Sequence, residues 1–429
     1  MGRIVILGGG YAGLHAFAAM RGRLGRQIAS GEVELTLVSR DPYHTYHGWT
    51  GEVLSGRLPV ERTLTPIAPL LRSHFLQGNV NSVDLAGRTV EVTTADGDTQ
   101  TLAFDHLMFG TGSRDPFDRL AGLAEHGWCV KNTRDMQSLV SHLDTLDDQP
   151  QVPRNVVVIG GGFAGVETAS ALALRFREKG NQQVTVHLVS SGTQLLDGLR
   201  PDFARIADHA TSVLYGQGVQ VHQGLRVESI ARDRVEFSDG GSLSSDLTVA
   251  TAGLAFDNLP GTDALPKSEA GRLTVDRSLQ VTGQHGIWAA GDIAAVRHPS
   301  TGEPCPANAL WAMKQGDCVG RNIARAIRGK EPRRFGFKGM GQAAGLIGTG
   351  GITELYGLQF TGKFAWLVRI LFFAWYMPSR PMGFSIARDL FTQWVASATG
   401  PLLGASYKAF ERIPKLARAR LSLRRLPRS

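Results

Sequence analysis

The pattern Gly-x-Gly-x-x-Gly occurs twice in this chain, 152 residues apart. Gly8-Gly9-Gly10-Tyr11-Ala12-Gly13 follows the apolar run Ile4-Val5-Ile6-Leu7, and Gly160-Gly161-Gly162-Phe163-Ala164-Gly165 follows Val156-Val157-Val158-Ile159. A buried strand that runs through such a loop into a helix has a physical purpose. The first Gly (Gly8, Gly160) makes the tight turn. The second (Gly10, Gly162) admits a pyrophosphate to the backbone. The third (Gly13, Gly165) lets helix and strand pack closely, with the diphosphate resting on the free N–H groups of the helix N-terminus. Two copies in this context predict two dinucleotides and chemistry that moves electrons between them.

Both strand-turn-helix-strand units are legible. The first reads Ile4–Leu7, Leu14–Leu24 and Val33–Val38; the second reads Val156–Ile159, Val166–Arg177 and Val184–Val189. The stretch 102–112 ends on Thr111-Gly112, and 247–253 ends on Gly253. Both read as strands that finish beside a ligand. The segment Asp144–Pro153, with two prolines, reads as a linker. Gly283–Asp292 reads as a strand ending on Gly291-Asp292, with a helix over Asn308–Arg328 after it.

The net charge of +8 is unevenly placed. Residues 336–429 hold 13 Lys/Arg and 3 Asp/Glu, a local +10, which leaves the rest of the chain at −2. No nucleic-acid motif accompanies the basic tail, so no nucleic-acid partner is expected. The three cysteines, Cys129, Cys305 and Cys318, form no C-x-x-C, which excludes an adjacent redox disulfide and zinc-finger spacing; no metal site is expected. The N-terminus is strand and loop rather than a signal peptide, and the thiols suit a reducing cytoplasm.

Phe364–Met377 is apolar almost all round, contains Arg369, and is too short to span a bilayer. Ala387, Leu390, Phe391, Trp394 and Val395 fall on one helical face. The tail from Lys408 interleaves basic and apolar residues. These features predict an amphipathic segment lying in a membrane interface, drawn to anionic lipid.

The order of motifs resembles the FAD-dependent pyridine nucleotide-disulfide oxidoreductase superfamily. More narrowly, the chain is similar to type II (single-subunit) NADH:quinone dehydrogenases. The stretches that carry the resemblance are Asp41-Pro42-Tyr43-His44-Thr45-Tyr46, Phe104–Ser113, Gly160–Glu167, Lys314-Gln315-Gly316 through Arg321-Asn322-Ile323, Lys338-Gly339-Met340 and Thr361–Leu367. The resemblance implies an α/β fold with two Rossmann-like domains, the second inserted in the first, and a C-terminal amphipathic helical membrane-docking segment. The implied boundaries are 1–150 and 266–335 for FAD, 151–265 for NAD(H), and 336–429 for docking.

It also implies the sites. Gly8, Gly10, Tyr11, Ala12, Gly13, Ser39, Arg40, Thr111, Gly112, Gly291 and Asp292 would hold FAD, with Asp292 on the ribityl chain. Gly160, Gly162, Phe163, Ala164, Gly165, Glu167, Ser190 and Gly253 would hold NADH. Glu167, placed in the first helical turn, and Lys314 are the catalytic candidates. Hydride would pass from nicotinamide to flavin, and two electrons onward to a membrane quinone, without proton pumping. The enzyme would sit peripherally on the inner face of the cell membrane; a homodimer is compatible with the sequence.

Three departures qualify this. The acid that usually ends each unit's second strand is replaced by Ser39 (followed by Arg40) and by Ser190. No Arg or Lys lies in 190–199, so NADH is favoured over NADPH only modestly. The family's A-Q-x-A-x-Q quinone motif becomes Ala309-Leu310-Trp311-Ala312-Met313-Lys314. Competing readings are a soluble reductase of a small electron-carrier protein, a sulfide:quinone reductase using Cys129 and Cys305, and a non-catalytic redox sensor.

Overall fold

The computed structural model describes residues 2–398. The charged tail beyond Lys408, and with it part of the expected docking segment, lies outside the described residues. The strand Gly2–Leu7 sits inside a seven-stranded sheet, paired in parallel with Val33–Ser39 on one side and His106–Phe109 on the other. A strand covered on both faces has no polar side, which is why Ile4–Leu7 reads as an unbroken apolar run. Phe75–Asp84, Thr89–Thr94 and Thr99–Ala103 extend one edge, and Ile287–Ala289 returns from far along the chain to close the other.

A second, five-stranded sheet has the order Gln220–Gln223, Val184–Ser190, Arg154–Ile159, Leu247–Ala250, Gly127–Cys129, all parallel. Its edge strand Gly127–Cys129 precedes the expected boundary at residue 151. The first four residues of the expected linker Asp144–Pro153 are helical. Thr133–Asp147 is a helix, capped by the Asn132 side chain, and its Asp144 and Asp147 hold the buried Arg175 at 2.6 and 2.7 Å.

The helix Tyr11–Ala29 packs on Ala309–Ala326 at unusually short range. A Cβ on Gly316 would stand 2.2 Å from the Ala12 carbonyl oxygen, and one on Gly320 would stand 2.3 Å from that of Ala16. Glycine at both positions therefore sets the helix separation.

The C-terminal region departs most from expectation. Gly341–Leu346, Gly350–Leu355 and Leu358–Thr361 form an antiparallel sheet that the sequence reading did not anticipate. Helices Gly362–Tyr376 and Arg380–Ala398 follow. Ile347, Ile352, Ile370, Ile386 and Leu390 share one apolar cluster with Val158, Val166 and Leu172 of the second glycine-loop unit. Each fully buried aliphatic side chain stabilises this docking by roughly 1.5–3 kcal/mol. The expected amphipathic stripe is therefore split. Ala387 and Leu390 are buried against the protein's own core, while Phe391 is 46% and Val395 38% exposed. Among the described residues no helix is long and apolar enough to cross a membrane.

Candidate functional site

The two glycine loops have matching geometry. Gly8 and Gly160 have φ of +112° and +122°, where a side chain would be strained. A Cβ on Gly13 would lie 1.9 Å from the Gly8 carbonyl oxygen, and one on Gly165 would lie 1.7 Å from that of Gly160. Around Gly10 and Gly162, by contrast, nothing approaches within 4 Å. These two residues cap helices Tyr11–Ala29 and Phe163–Glu178 without any side-chain cap and with no acid in the first turn. Each helix thus presents uncapped N–H groups and its positive dipole end to an open space, as a diphosphate requires.

Ser39 and Ser190 end the second strand of each unit, beside Gly9 and Gly161. Arg40 is exposed and pairs with Asp41 at 3.3 Å. The Ser190 Oγ accepts from Gly192 N at 3.2 Å. The fold adds a residue that sequence proximity did not suggest. Leu225 N donates to the Ser190 carbonyl, so the exposed Arg226 stands in the loop beside this strand end.

Gly291 and Asp292 form a hub. Gly291, at φ +77°, lies against Ala12, and its N–H donates to Gln315 Oε1 at 2.8 Å. The Asp292 Oδ2 accepts from Ser113 Oγ at 2.6 Å and from Lys131 Nζ at 3.0 Å. Arg272 Nε donates to the Asp292 carbonyl at 2.8 Å. Burial alone would raise the Asp292 pKa, but Lys131 and Ser113 outweigh it and hold the carboxyl below its usual range. Thr111 and Gly112 precede Ser113 in the same loop, and backbone bonds Arg114 N to Ala255 O and Ala255 N to Arg114 O join that loop to the one carrying Gly253. The two units meet at this point.

Tyr11 accepts from His47 N at 2.9 Å and packs edge-on against His44, with centroids 4.5 Å apart. Burial lowers His44 to a pKa of about 3 and keeps its ring neutral, with Nδ1 3.2 Å from the Gly9 carbonyl oxygen. The first cradle therefore has an aromatic wall.

Glu167 is the fifth residue of its helix, beyond the first turn where the sequence reading placed it. The helix dipole therefore does little for this carboxylate, because that effect decays within one turn. Its Oε1 accepts from Gly345 N and from Arg369 Nη2, the latter at 3.0 Å. Arg369, fully buried, also reaches Glu52 Oε1 at 2.7 Å and the Gly48 carbonyl at 2.8 Å. Glu52 is 2% exposed and Glu167 19%. One guanidinium thus ties the first unit, the second unit and the C-terminal helices together. Burial raises the Glu167 pKa, with Arg369 and the Gly345 N–H opposing it. Arg369, read from sequence only as a charge in an apolar run, is the centre of this triad.

Lys314 projects between the rings of Phe337 and Tyr376, 5.9 and 5.6 Å from their centroids. Among the described residues it forms no ion pair, so its ammonium remains available to a ligand. Phe163 packs on the second core, and Ala164 is exposed beside Gly162. Cys129 and Cys305 are buried in separate apolar clusters, and both thiols are free. Burial raises Cys305 to about 11 and Cys129 higher still, and the two thiols do not form the adjacent pair that a sulfide-oxidising site needs. No cluster of metal ligands occurs among the described residues.

Comparison with known proteins agrees with this arrangement. The chain belongs to the pyridine nucleotide-disulphide oxidoreductase family, whose model matches residues 2–316. It is 28% identical over 385 residues to the demethylphylloquinone reductase NdbB of Synechocystis, covering 88% of this chain and 92% of that protein. It is 25% identical over 381 residues to a type II NADH:quinone oxidoreductase of Staphylococcus aureus, covering 84% and 91%. Its fold matches a solved structure of NDH2 from Plasmodium falciparum in complex with NADH, at TM-score 0.78 and 16% identity over 92% of this chain and 98% of that one.

Proposed function

We propose that this member of the pyridine nucleotide-disulphide oxidoreductase family is an FAD-dependent NADH:quinone oxidoreductase. The observation that carries the reading is the pair of matching, uncapped glycine cradles, joined where the loops of Ser113 and Gly253 meet. The names of its relatives, a demethylphylloquinone reductase and a type II NADH:quinone oxidoreductase, point the same way. We read the five-stranded parallel sheet, and the parallel strands of the seven-stranded sheet, as the centres of Rossmann-like domains. Residues 1–150 and 266–335 form the FAD domain and 151–265 the NAD(H) domain, with the strand Gly127–Cys129 lent to the second.

When bound, FAD supplies the two-electron redox chemistry that couples NADH oxidation to quinone reduction. The first cradle would hold its diphosphate on the N–H groups of helix Tyr11–Ala29, with Tyr11, Ala12, Thr111 and Gly112 lining the approach and Ser39 and Arg40 at the adenosine end. Asp292, kept ionised by Lys131 and Ser113, offers its remaining oxygen to a polyol hydroxyl. The second cradle would hold the diphosphate of NADH, with Phe163, Ala164 and Gly253 beside it and Ser190 at the adenosine ribose. Glu167 has Oε1 engaged by Arg369 and Gly345, which leaves Oε2 to orient a carboxamide or to carry a proton; its raised pKa suits the second task. Lys314 would donate to a quinone carbonyl oxygen.

The quinone would enter from a membrane. Phe364, Leu371, Trp375, Phe384 and Phe391 are exposed on the C-terminal helices, and the tail beyond Lys408 adds positive charge. Peripheral attachment to the inner face of the cell membrane follows from this reading.

The test is steady-state NADH oxidation by the purified protein with ferricyanide, a panel of quinones and small carrier proteins, with and without lipid. A yellow protein that reduces quinones and gains activity with lipid is expected. A colourless protein that takes up no FAD overturns the assignment. Preference for a carrier protein over every quinone replaces the acceptor.

A further inference from the structure

A cavity of about 730 Å³ lies away from both glycine cradles, between the C-terminal half of helix Ala309–Ala326 and the segment that follows it. Its charged lining is cationic with one exception. Arg321 and Arg325 come from the helix, Arg328 and Lys330 from its exit, and Arg333 and Arg334 from the returning segment; Arg23 and Lys314 stand at the margins. Not one of these eight forms an ion pair with a carboxylate among the described residues. Arg325 and Arg328 reach only backbone carbonyls, those of Glu331 and Arg23. The single acid of the lining, Asp317, is turned to His15 at 3.3 Å. Eight unneutralised cations around one concavity repel one another, so the arrangement favours a multivalent anion. Guanidinium groups match phosphate oxygens with two parallel hydrogen bonds.

The cavity is also bordered by apolar surface. Phe335, Phe337 and Met340 line it, and Tyr356, 72% exposed, stands at its rim. Tyr356 N donates to the Met340 carbonyl at 2.9 Å, and the exposed Leu358 and Phe364 continue the apolar surface onto the C-terminal helices. A soluble polyphosphate has no use for such a border, whereas a phospholipid needs cations beside a surface for its acyl chains.

We propose that this groove binds the phosphate headgroup of an anionic phospholipid at the membrane surface. The inference rests on the membrane reading above but assigns a defined headgroup site distinct from the charged tail. The site is formed partly by the helix that carries Lys314 and Gln315, so a bound lipid would sit on the element that contacts Gly291.

Three full-length, FAD-loaded proteins test it by sedimentation with vesicles. They are wild type, Arg321→Gln/Lys330→Gln/Arg334→Gln, and the charge-matched Arg177→Gln/Lys179→Gln/Arg232→Gln; all six substituted side chains are exposed. Phosphatidylcholine vesicles report the apolar surface alone, and the gain on adding phosphatidylglycerol reports the groove and the tail. At about 1 kcal/mol per Lys or Arg, the groove variant should lose on the order of 100-fold of that gain. The control should lose only a few-fold, and all three should keep ferricyanide activity and neutral-vesicle binding. Equal losses in the two variants overturn the site while leaving the membrane reading intact. Failure of wild type to bind either vesicle overturns both. Binding of soluble glycerophosphoglycerol as tight as vesicle binding would make this a free phosphate-ester site and overturn the lipid assignment.

Discussion

Replacing Arg369 with Met should destabilise the protein severely. The substitution roughly conserves length but removes the cation that, among the described residues, pairs with both the buried Glu52 at 2.7 Å and the largely buried Glu167 at 3.0 Å, and leaves the Gly48 carbonyl without this donor. Breaking a buried pair from one side costs about 3–5 kcal/mol, because the surviving charge is left uncompensated. For a cooperative unit of about 200 residues that is a fall in melting temperature of roughly 10 °C. Glu52→Gln/Arg369→Met should recover part of the loss, since one stranded charge has been removed. The pH dependence gives a sharper criterion. Without Arg369, burial at Glu167 is opposed only by the Gly345 N–H, so the folded pKa of this carboxyl rises further above the unfolded value of about 4.3. Such a group contributes stability below the unfolded pKa and loses it as pH rises through the folded one. The deficit relative to wild type should therefore be small at pH 5 and largest near pH 8. Thermal melts by circular dichroism at pH 5, 6.5 and 8 measure it. A deficit below 2 °C, or one that does not change with pH, would refute the idea that this guanidinium neutralises the triad.

Gly10→Val has room for its side chain within the protein, because nothing lies within 4 Å. It should fold with near-native stability yet purify without flavin, while Gly13→Val, facing the Gly8 carbonyl oxygen at 1.9 Å, should fail to fold; flavin absorbance and melting curves separate the two. Wild type should prefer NADH by a modest factor, Ser190→Glu should sharpen that preference through repulsion of a 2′-phosphate, and Arg226→Gln should weaken NADPH use; a wild type that strongly prefers NADPH would contradict this. Glu167→Gln should keep FAD and slow turnover or weaken NADH binding, and unchanged flavin-reduction kinetics would return Glu167 to a purely structural role. Deleting residues 404–429 should weaken binding to anionic vesicles and lower quinone reduction more than ferricyanide reduction, and equal effects on both acceptors would count against entry of quinone from the membrane.

What could be read in advance follows from the range of the forces involved. The glycine cradles were legible because their requirements are local. A positive φ at Gly8 and a carbonyl against Gly13 arise from residues five apart in the chain, so the pattern stands in the sequence itself. Asp292 was legible for the same reason, as it follows a Gly that ends a strand. Its partners were not. Lys131 lies 161 residues away and Ser113 lies 179, and only the return of strand Ile287–Ala289 to the first sheet brings them together. The C-terminal sheet was missed because its strands carry glycine where apolar alternation would have marked them. The fold uses those positions for contact, with a Cβ on Gly351 placed 2.8 Å from the Ala344 carbonyl oxygen and one on Gly350 placed 2.4 Å from the Gly362 carbonyl carbon.

Arg369 shows where a stricter physical reading of the sequence reaches further. A lone guanidinium in an apolar stretch cannot be buried unpaired, so it either snorkels to water or finds a carboxylate. Phe364–Met377 offers no acid of its own. The pairing therefore had to be distant, and it is, at 317 residues for Glu52. One consequence concerns the acceptor. The helix that carries the exposed Trp375 is fixed through Arg369 to Glu167, the residue proposed above to serve nicotinamide. On the reading proposed above, membrane contact and redox site would then share one helix. Lipid engaging the C-terminal helices would act on the surroundings of Glu167 through the Arg369–Glu167 ion pair, without any need for a loop to move.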